Sequence, residues 1–447
     1  MKHKIGGSGK RLTDCTVIGF ALFAMFFGAG NLIFPPDLGV RSGSEWFIAF
    51  ICYFIADIGL GILAVYSMTR VDGKIESITS PIGKLPALVM TTAIIICIGP
   101  GLAIPRTAAT TFELGVAPLF EVDPGDRTLR AVFSVIFFGI VLALTIRPNK
   151  VVDIIGKVLT PVLLVSLLIM IITGILYPHG EVGAPVSQNV VKDGFYNGYQ
   201  TLDLMASMFF AIVIINAVHG KGYSGLKETN KMTITSSLIA GILLFIVYGG
   251  LTILGATTGS IWTGEVASGS MNQAALLISI TIKLLGKPGM ALLAIVVAFA
   301  CLTTAIGLVS STAEFFSKMT NGKIPQKPII IVTAVISMLI CNLGLSKIIS
   351  FSAPILMLLY PLTVLLVVTS LLRSRVTKLL PYRLASAVTL AISACDLLGS
   401  SFGIKSFAEL VAKLPLHSYG FNWLIPAVAA FLIGCILPFG KRDTDQL

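Results

Sequence analysis

Charge is what this sequence has least of. Only 12% of its 447 residues are Asp, Glu, Lys or Arg, against 55% hydrophobic, and the mean hydropathy is +0.93. A soluble chain of this length needs more polar surface than that, so the composition implies an integral membrane protein. Histidine is also scarce: the four present (3, 179, 219 and 417) all lie outside the centres of the apolar runs. Neither HExxH nor a GxxxxGK[ST] phosphate loop occurs. The marks of a membrane-embedded enzyme and of an ATP-driven pump are therefore missing. Seven cysteines fall in or beside apolar runs without CxxC or Cys/His spacing, which implies neither a disulfide framework nor a zinc site.

What is present is a series of long apolar runs. Cutting at the charge clusters leaves twelve, centred near residues 24, 57, 98, 138, 165, 210, 246, 303, 336, 360, 392 and 429. A hydrocarbon core of about 30 Å needs roughly 20 helical residues, so each is a candidate span of an all-α membrane fold. The basic N-terminus leads into too long a run to be a signal peptide. A shorter piece, Ala274 to Ile282, reads as a re-entrant or interfacial helix. Of the 32 lysines and arginines, 22 fall in segments that would face inward, 9 in outer loops, and Arg106 inside the third run. That asymmetry predicts both termini on the cytoplasmic side of the cell membrane. The net charge of +11 then reports orientation, and a nucleic-acid partner is not implied.

The first run carries Phe26-Phe27-Gly28-Ala29-Gly30-Asn31-Leu32-Ile33-Phe34-Pro35-Pro36 and is read as closing at the proline pair. Each glycine weakens a helix by about 1 kcal/mol relative to alanine. A backbone group freed in lipid costs several kcal/mol unless something satisfies it. A helix opened here would line a cavity for a polar guest. Its outer half would start near Ala29 to Leu32, where free N–H groups and a positive dipole end suit a carboxylate. Its inner half would end with carbonyls near Ala24 and Phe27, which suit a cation. The competing reading is that Gly28 and Gly30 simply allow close helix packing.

A long outer segment, Tyr177 to Tyr199, separates five runs from the next five. An odd number forces the second set to enter with opposite orientation, the condition for an inverted repeat, and the sixth run should then be broken like the first. That run contains Asp203, Ala206, Ser207 and Phe209, and a charged side chain in a span costs at least about 2.5 kcal/mol. Asp203 is a candidate for a substrate ammonium, an ion, or a structural partner. In the eighth run Ala300, Thr303 and Thr304 share one helix face. The threonines can bond their own i−4 carbonyls or supply oxygens to Na⁺. Asp57 and Asp396 are intramembrane too, as proton relays or as structural hydrogen-bonding partners. Arg106, about 33 Å of helical rise beyond Lys84, is expected at the outer interface, paired with Glu113 or serving a gate. Phe26, Phe27, Phe209 and Phe210 flank the two expected breaks and either line a pocket or pack.

Residues 23–36, Ile104-Pro105-Arg106-Thr107-Ala108-Ala109-Thr110, the stretch from Asp193-Gly194-Phe195 to Asp203, and Cys301-Leu302-Thr303-Thr304-Ala305-Ile306-Gly307 resemble blocks of the branched-chain amino acid:cation symporters, the system II carriers. The resemblance spans essentially the whole chain. It implies a single leucine-transporter-type domain, residues 1–447, within the amino acid–polyamine–cation superfamily. Repeat one would cover about 12–177, repeat two about 193–373, and two extra helices about 381–438. It implies uptake of leucine, isoleucine and valine driven by Na⁺ or, in some members, H⁺. Ala24, Phe27, Ala300, Thr303 and Thr304 match that fold's sodium site. Gly28, Ala29, Gly30 and Asn31 match its substrate carboxylate cradle. Asp203 to Phe209 match its broken sixth helix, although no glycine marks the break. A proton-coupled carrier of another small neutral amino acid and, in a different class, a channel are the alternatives.

Overall fold

The structure, a computed structural model, describes residues 8–71, 73–146, 157, 159–223 and 225–438. Every regular element among them is a helix. The helices used below are α1 (Ser8–Phe26), α2 (Ala29–Ser42), α3 (Trp46–Phe54), α4 (Leu60–Arg70), α5 (Lys84–Ile96), α6 (Ala103–Thr110), α7 (Arg127–Thr145), α8 (Thr160–Leu176), α9 (Val190–Gln200) and α10 (Asp203–Gly220). They continue with α11 (Leu226–Ala256), α12 (Gln273–Met319), α13 (Gln326–Cys341), α14 (Leu345–Ser370), α15 (Leu380–Ser400) and α16 (Leu424–Ile436). All twelve run centres fall in helical residues. Eight helical stretches, from Ala29–Arg70 to Leu380–Ser400, are long and apolar enough to cross a membrane. Three shorter apolar helices, α8, α13 and α16, accompany them. The Arg147 to Lys150 turn read from the sequence lies outside the described residues.

Two expectations are corrected. The first run does not stop at Pro35-Pro36; both prolines sit inside α2, which continues to Ser42. Proline removes a backbone donor, yet its fixed φ is compatible with helix, and α2 runs on through the pair. Next, Tyr177 to Tyr199 is not loop throughout, because α9 starts at Val190, with Asn189 as its N-cap accepting from the Lys192 N–H at 3.0 Å. The short apolar piece Ala274 to Ile282 opens α12 as a helix, set off from the rest by a bend at Gly286 (φ +61°), a left-handed conformation that suits glycine.

Helices α1 and α2 form one interrupted rod through the centre, packed against α11, with α12 on another side. Burial is nearly complete in α2, which buries 13 of its 14 residues. At one end α1 is tied by Asp14, which accepts from Lys221 Nζ at 3.0 Å and Tyr223 OH at 2.9 Å, and by the Arg11–Glu228 pair. At the other end Arg41 Nε donates to Asp37 at 2.9 Å and its Nη2 to the Val266 carbonyl at 3.3 Å. The rod is held at both ends and interrupted between them.

Candidate substrate and ion site

The interruption in the rod falls at Phe27-Gly28. The last helical residue of α1 is Phe26, Gly28 is extended, and α2 opens at Ala29. A Cβ on Gly28 would lie 2.8 Å from Thr304 Oγ1, so glycine is required by close approach. Thr303 Oγ1 donates across to the Ala24 carbonyl at 2.7 Å, and also meets the Ala300 carbonyl at 3.0 Å. Thr304 Oγ1 reaches the Met25 carbonyl at 3.0 Å and Ala24 at 3.4 Å. Neither hydroxyl bonds its own i−4 carbonyl; both turn to the frayed end of α1. Ala24, Ala300, Thr303 and Thr304 are thus brought together, joined by Met25, which no side-chain signal marks. Phe27 instead donates its N–H to the Phe23 carbonyl at 2.8 Å and stacks its ring on Phe23 and Tyr248.

A second interruption, at Thr201-Leu202, separates α9 from α10. Leu202 takes φ +73°, a left-handed conformation costing a non-glycine residue about 1–2 kcal/mol. Arg106 holds it open. Its Nη1 donates to the Gln200 carbonyl at 2.7 Å and its Nη2 to the Thr201 carbonyl at 3.1 Å. The guanidinium lies over the Phe34 ring at 5.9 Å, and Arg106 is 3% exposed. The expectation that Arg106 sits at the outer interface with Glu113 is therefore wrong. Glu113 lies 3.7 Å from Arg130 and accepts from the Leu345 N–H at 2.9 Å. Counting rise from Lys84 misplaced Arg106 because the helical stretch Lys84–Leu119 has 36 residues and bends at Gly99. A residue count along a bent, overlong helix does not give depth.

Asn31 joins the two interruptions. Its Nδ2 is 2.7 Å from Asp203 Oδ2, 3.2 Å from Asp57 Oδ2 and 2.6 Å from the Tyr248 hydroxyl. Its Oδ1 faces the Gly28 N–H at 3.4 Å. Between the breaks lies a cavity lined by Gly28, Ala29, Asn31, Asp203 and Ala206, with Phe210 and Leu308 supplying apolar wall. Its volume is about 10 Å³, on the scale of one water molecule. A larger guest enters only when the surrounding helices part.

The residues 11–440 match the family model described as branched-chain amino acid transport protein. The chain belongs to that family. It is a membrane transporter and not an enzyme. It is 36% identical over 427 residues to the branched-chain amino acid transport system 2 carrier protein of Pseudomonas aeruginosa, covering 95% of each chain. It is also 33% identical to the branched-chain amino acid permease BraB of Bacillus subtilis, covering 100% of this chain and 99% of that one. Among solved structures it resembles Mhp1, a nucleobase-cation-symport-1 family transporter in a closed conformation with bromovinylhydantoin bound. That match has a TM-score of 0.61 at 14% identity, over 94% of this chain and 91% of that one. A manganese transporter of Eremococcus coleocola matches with TM-score 0.59 at 13% identity over 97% of each chain. At those identities the likeness establishes the fold, that of leucine-transporter-type carriers.

The remaining sequence-read residues of this transporter divide by where they point. Gly30 is not on the cavity wall: a Cβ there would lie 2.9 Å from Arg106 Nη2, so this glycine makes room for the arginine. Ser207 donates to the Asp203 carbonyl at 2.6 Å, within its own helix. Phe209 packs edge-on to Phe315, while Phe210 meets both the cavity and Phe26. Asp396 accepts from Asn422 Nδ2 at 2.9 Å, a bond from the turn before α16 and away from the cavity. Tyr248, Thr201 and Leu202 belong to the site, yet nothing in their runs distinguishes them.

Proposed function

We propose that this transporter is a cation-coupled symporter importing leucine, isoleucine and valine by alternating access, with Na⁺ as the coupling ion. The carrying observation is that Thr303 and Thr304 put their hydroxyls on the carbonyls of Ala24 and Met25 beside Gly28. Two hydroxyls and the neighbouring carbonyls, Ala300 and Phe27 included, are the hard oxygen ligands that a small cation takes. The amino acid's carboxylate would sit at the N-terminus of α2, on the N–H groups near Ala29 to Asn31, where the helix dipole favours an anion. Asp203 would receive its ammonium group, and Ala206, Phe210 and Leu308 its branched side chain. In this reading twelve spans form two inverted five-helix repeats (12–177 and 193–373) plus two further helices (381–438), with both termini cytoplasmic. The interruptions in the first and sixth runs are the pair that such symmetry calls for.

Ion and substrate share the α1–α2 gap, so each should favour the other's bound arrangement, and the coupling must be reciprocal. Radiolabelled leucine uptake into vesicles is expected to need an inward Na⁺ gradient and to be suppressed by excess valine. Uptake that ignores Na⁺, or leucine uptake that valine leaves untouched, would sink the assignment. For Thr304→Ala the Na⁺ concentration giving half-maximal uptake should rise at least about tenfold, the effect of roughly 1.4 kcal/mol of lost ion binding. Wild-type Na⁺ dependence in that variant would remove the ion from this position.

A further inference from the structure

The gap holds two carboxylates where one would serve an ammonium group. Asp57 and Asp203 come from different helices, are 0% and 4% exposed, and converge on the same Asn31 nitrogen. Their carboxyl groups are also within hydrogen-bonding reach of one another. Asp57 sits in a π-helical turn, Ile55–Gly59, between α3 and α4. The wide turn is a local irregularity of a kind concentrated at functional sites. The oxygens of the pair are met by donors: Thr201 Oγ1 at 2.8 Å on Asp57 Oδ1, and Asn31 Nδ2 on both Oδ2 atoms. A metal ion wants acceptors turned toward it from every side, so this is poor metal geometry. Among the described residues, neither carboxylate has a lysine or arginine at ion-pair distance.

The other titratable groups around the pair are Tyr53, Tyr199, Tyr248, Tyr360, Cys301 and Arg106. Phenols and thiols are neutral near pH 7 and a guanidinium is always charged. Only the carboxyl pair can therefore change charge in the neutral range. Two carboxylates this close cannot both ionise cheaply, and burial raises the cost further. With one proton between them they carry a single negative charge, which the one positive charge of Arg106 balances.

We propose that Asp57 and Asp203 form a proton-binding pair, holding one proton between them and releasing it when the α-ammonium group of the amino acid docks beside Asp203. In that exchange the O–H···O bond between the carboxyls breaks and an ammonium N–H···O bond forms. The proton leaves to water on the open side, and the ammonium group keeps all of its own. Beside the carboxyl pair a cation thus replaces a proton, while the substrate's carboxylate is met separately at the N-terminus of α2. The inference rests on the substrate reading above, and deepens it by making cargo binding proton-linked.

The test is isothermal titration calorimetry of leucine into the purified transporter, in buffers of different ionisation enthalpy. Wild-type protein should release up to one proton per leucine bound. Its leucine affinity should weaken by up to about tenfold per unit of falling pH through the range where the pair takes up its proton. Asp57→Asn leaves one carboxylate for the ammonium group and should bind leucine with no proton released and no such pH dependence. Wild-type binding without proton release, or a release unchanged in Asp57→Asn, would overturn the pair. Since the wild-type titration decides by itself, a poorly folding variant does not shelter the proposal. Failure of the wild type to bind leucine, isoleucine or valine would instead overturn the substrate reading on which it stands.

Discussion

Arg106→Met is expected to lower leucine uptake at least about 100-fold while the protein still elutes as a single folded species in detergent. The arginine's two bonds, to the Gln200 and Thr201 carbonyls, are what replaces helical bonding at the gap before α10. Methionine fills similar space but donates nothing. Hydrogen bonds from a charged group are worth about 1.5–3 kcal/mol each. Losing both removes roughly 3–6 kcal/mol from the open arrangement, a factor of at least about 100 in its population. The strained Leu202 backbone would then be free to relax, and Asp203, the first residue of α10, would turn with it. Arg106→Lys should fall short of wild type too, because an ammonium lacks the planar fork that reaches two carbonyls at once. Near-normal uptake by Arg106→Met would mean the gap keeps its shape without the guanidinium.

The second large effect concerns stability. Gly255→Ala is expected to destabilise the folded transporter by about 3 kcal/mol or more, beyond the usual range for an added methyl group. A Cβ at Gly255 would lie 2.0 Å from the Pro36 carbonyl oxygen and 2.7 Å from its carbonyl carbon. The obstacle is backbone inside a helix, which cannot rotate aside as a side chain does. Helices α2 and α11 would have to part. The same contact from the other side has Gly39, whose added Cβ would stand 2.0 Å from the Thr252 carbonyl. The seam lies on the stretch of α2 that carries Pro35-Pro36 and continues past it. Thermal unfolding in detergent followed by intrinsic fluorescence measures the effect. An unchanged melting temperature in Gly255→Ala would show that the two helices yield more readily than their backbone contact implies.

The two interruptions were unequally legible. Gly28, Gly30 and Asn31 sit in a run where apolar continuity is expected, so their cost in helix propensity announces the first gap. The second gap has no such residue: Leu202 is an ordinary helix former forced to φ +73°. What holds it open is Arg106, 95 positions away from Thr201 in the chain. Local composition cannot report a conformation imposed from that distance. Arg106 itself was misread for the same reason, since the only local partner on offer was Glu113. The outward turn of Thr303 and Thr304 was equally undecidable from spacing, because a threonine facing its own carbonyl and one facing another helix have the same sequence.

Composition and pattern by themselves determined that this chain is a helical membrane protein and that the first of its apolar runs opens. Those follow from the price of polar groups in lipid, a constraint each segment meets alone. Only the packed structure decided that Asn31, Asp57 and Asp203 meet at one nitrogen, that Arg106 serves the second gap, and that Phe210 rather than Phe209 faces the cavity. Contacts between helices depend on rotation about each axis and on bends such as the π turn at Asp57. Neither leaves a mark in the order of residues.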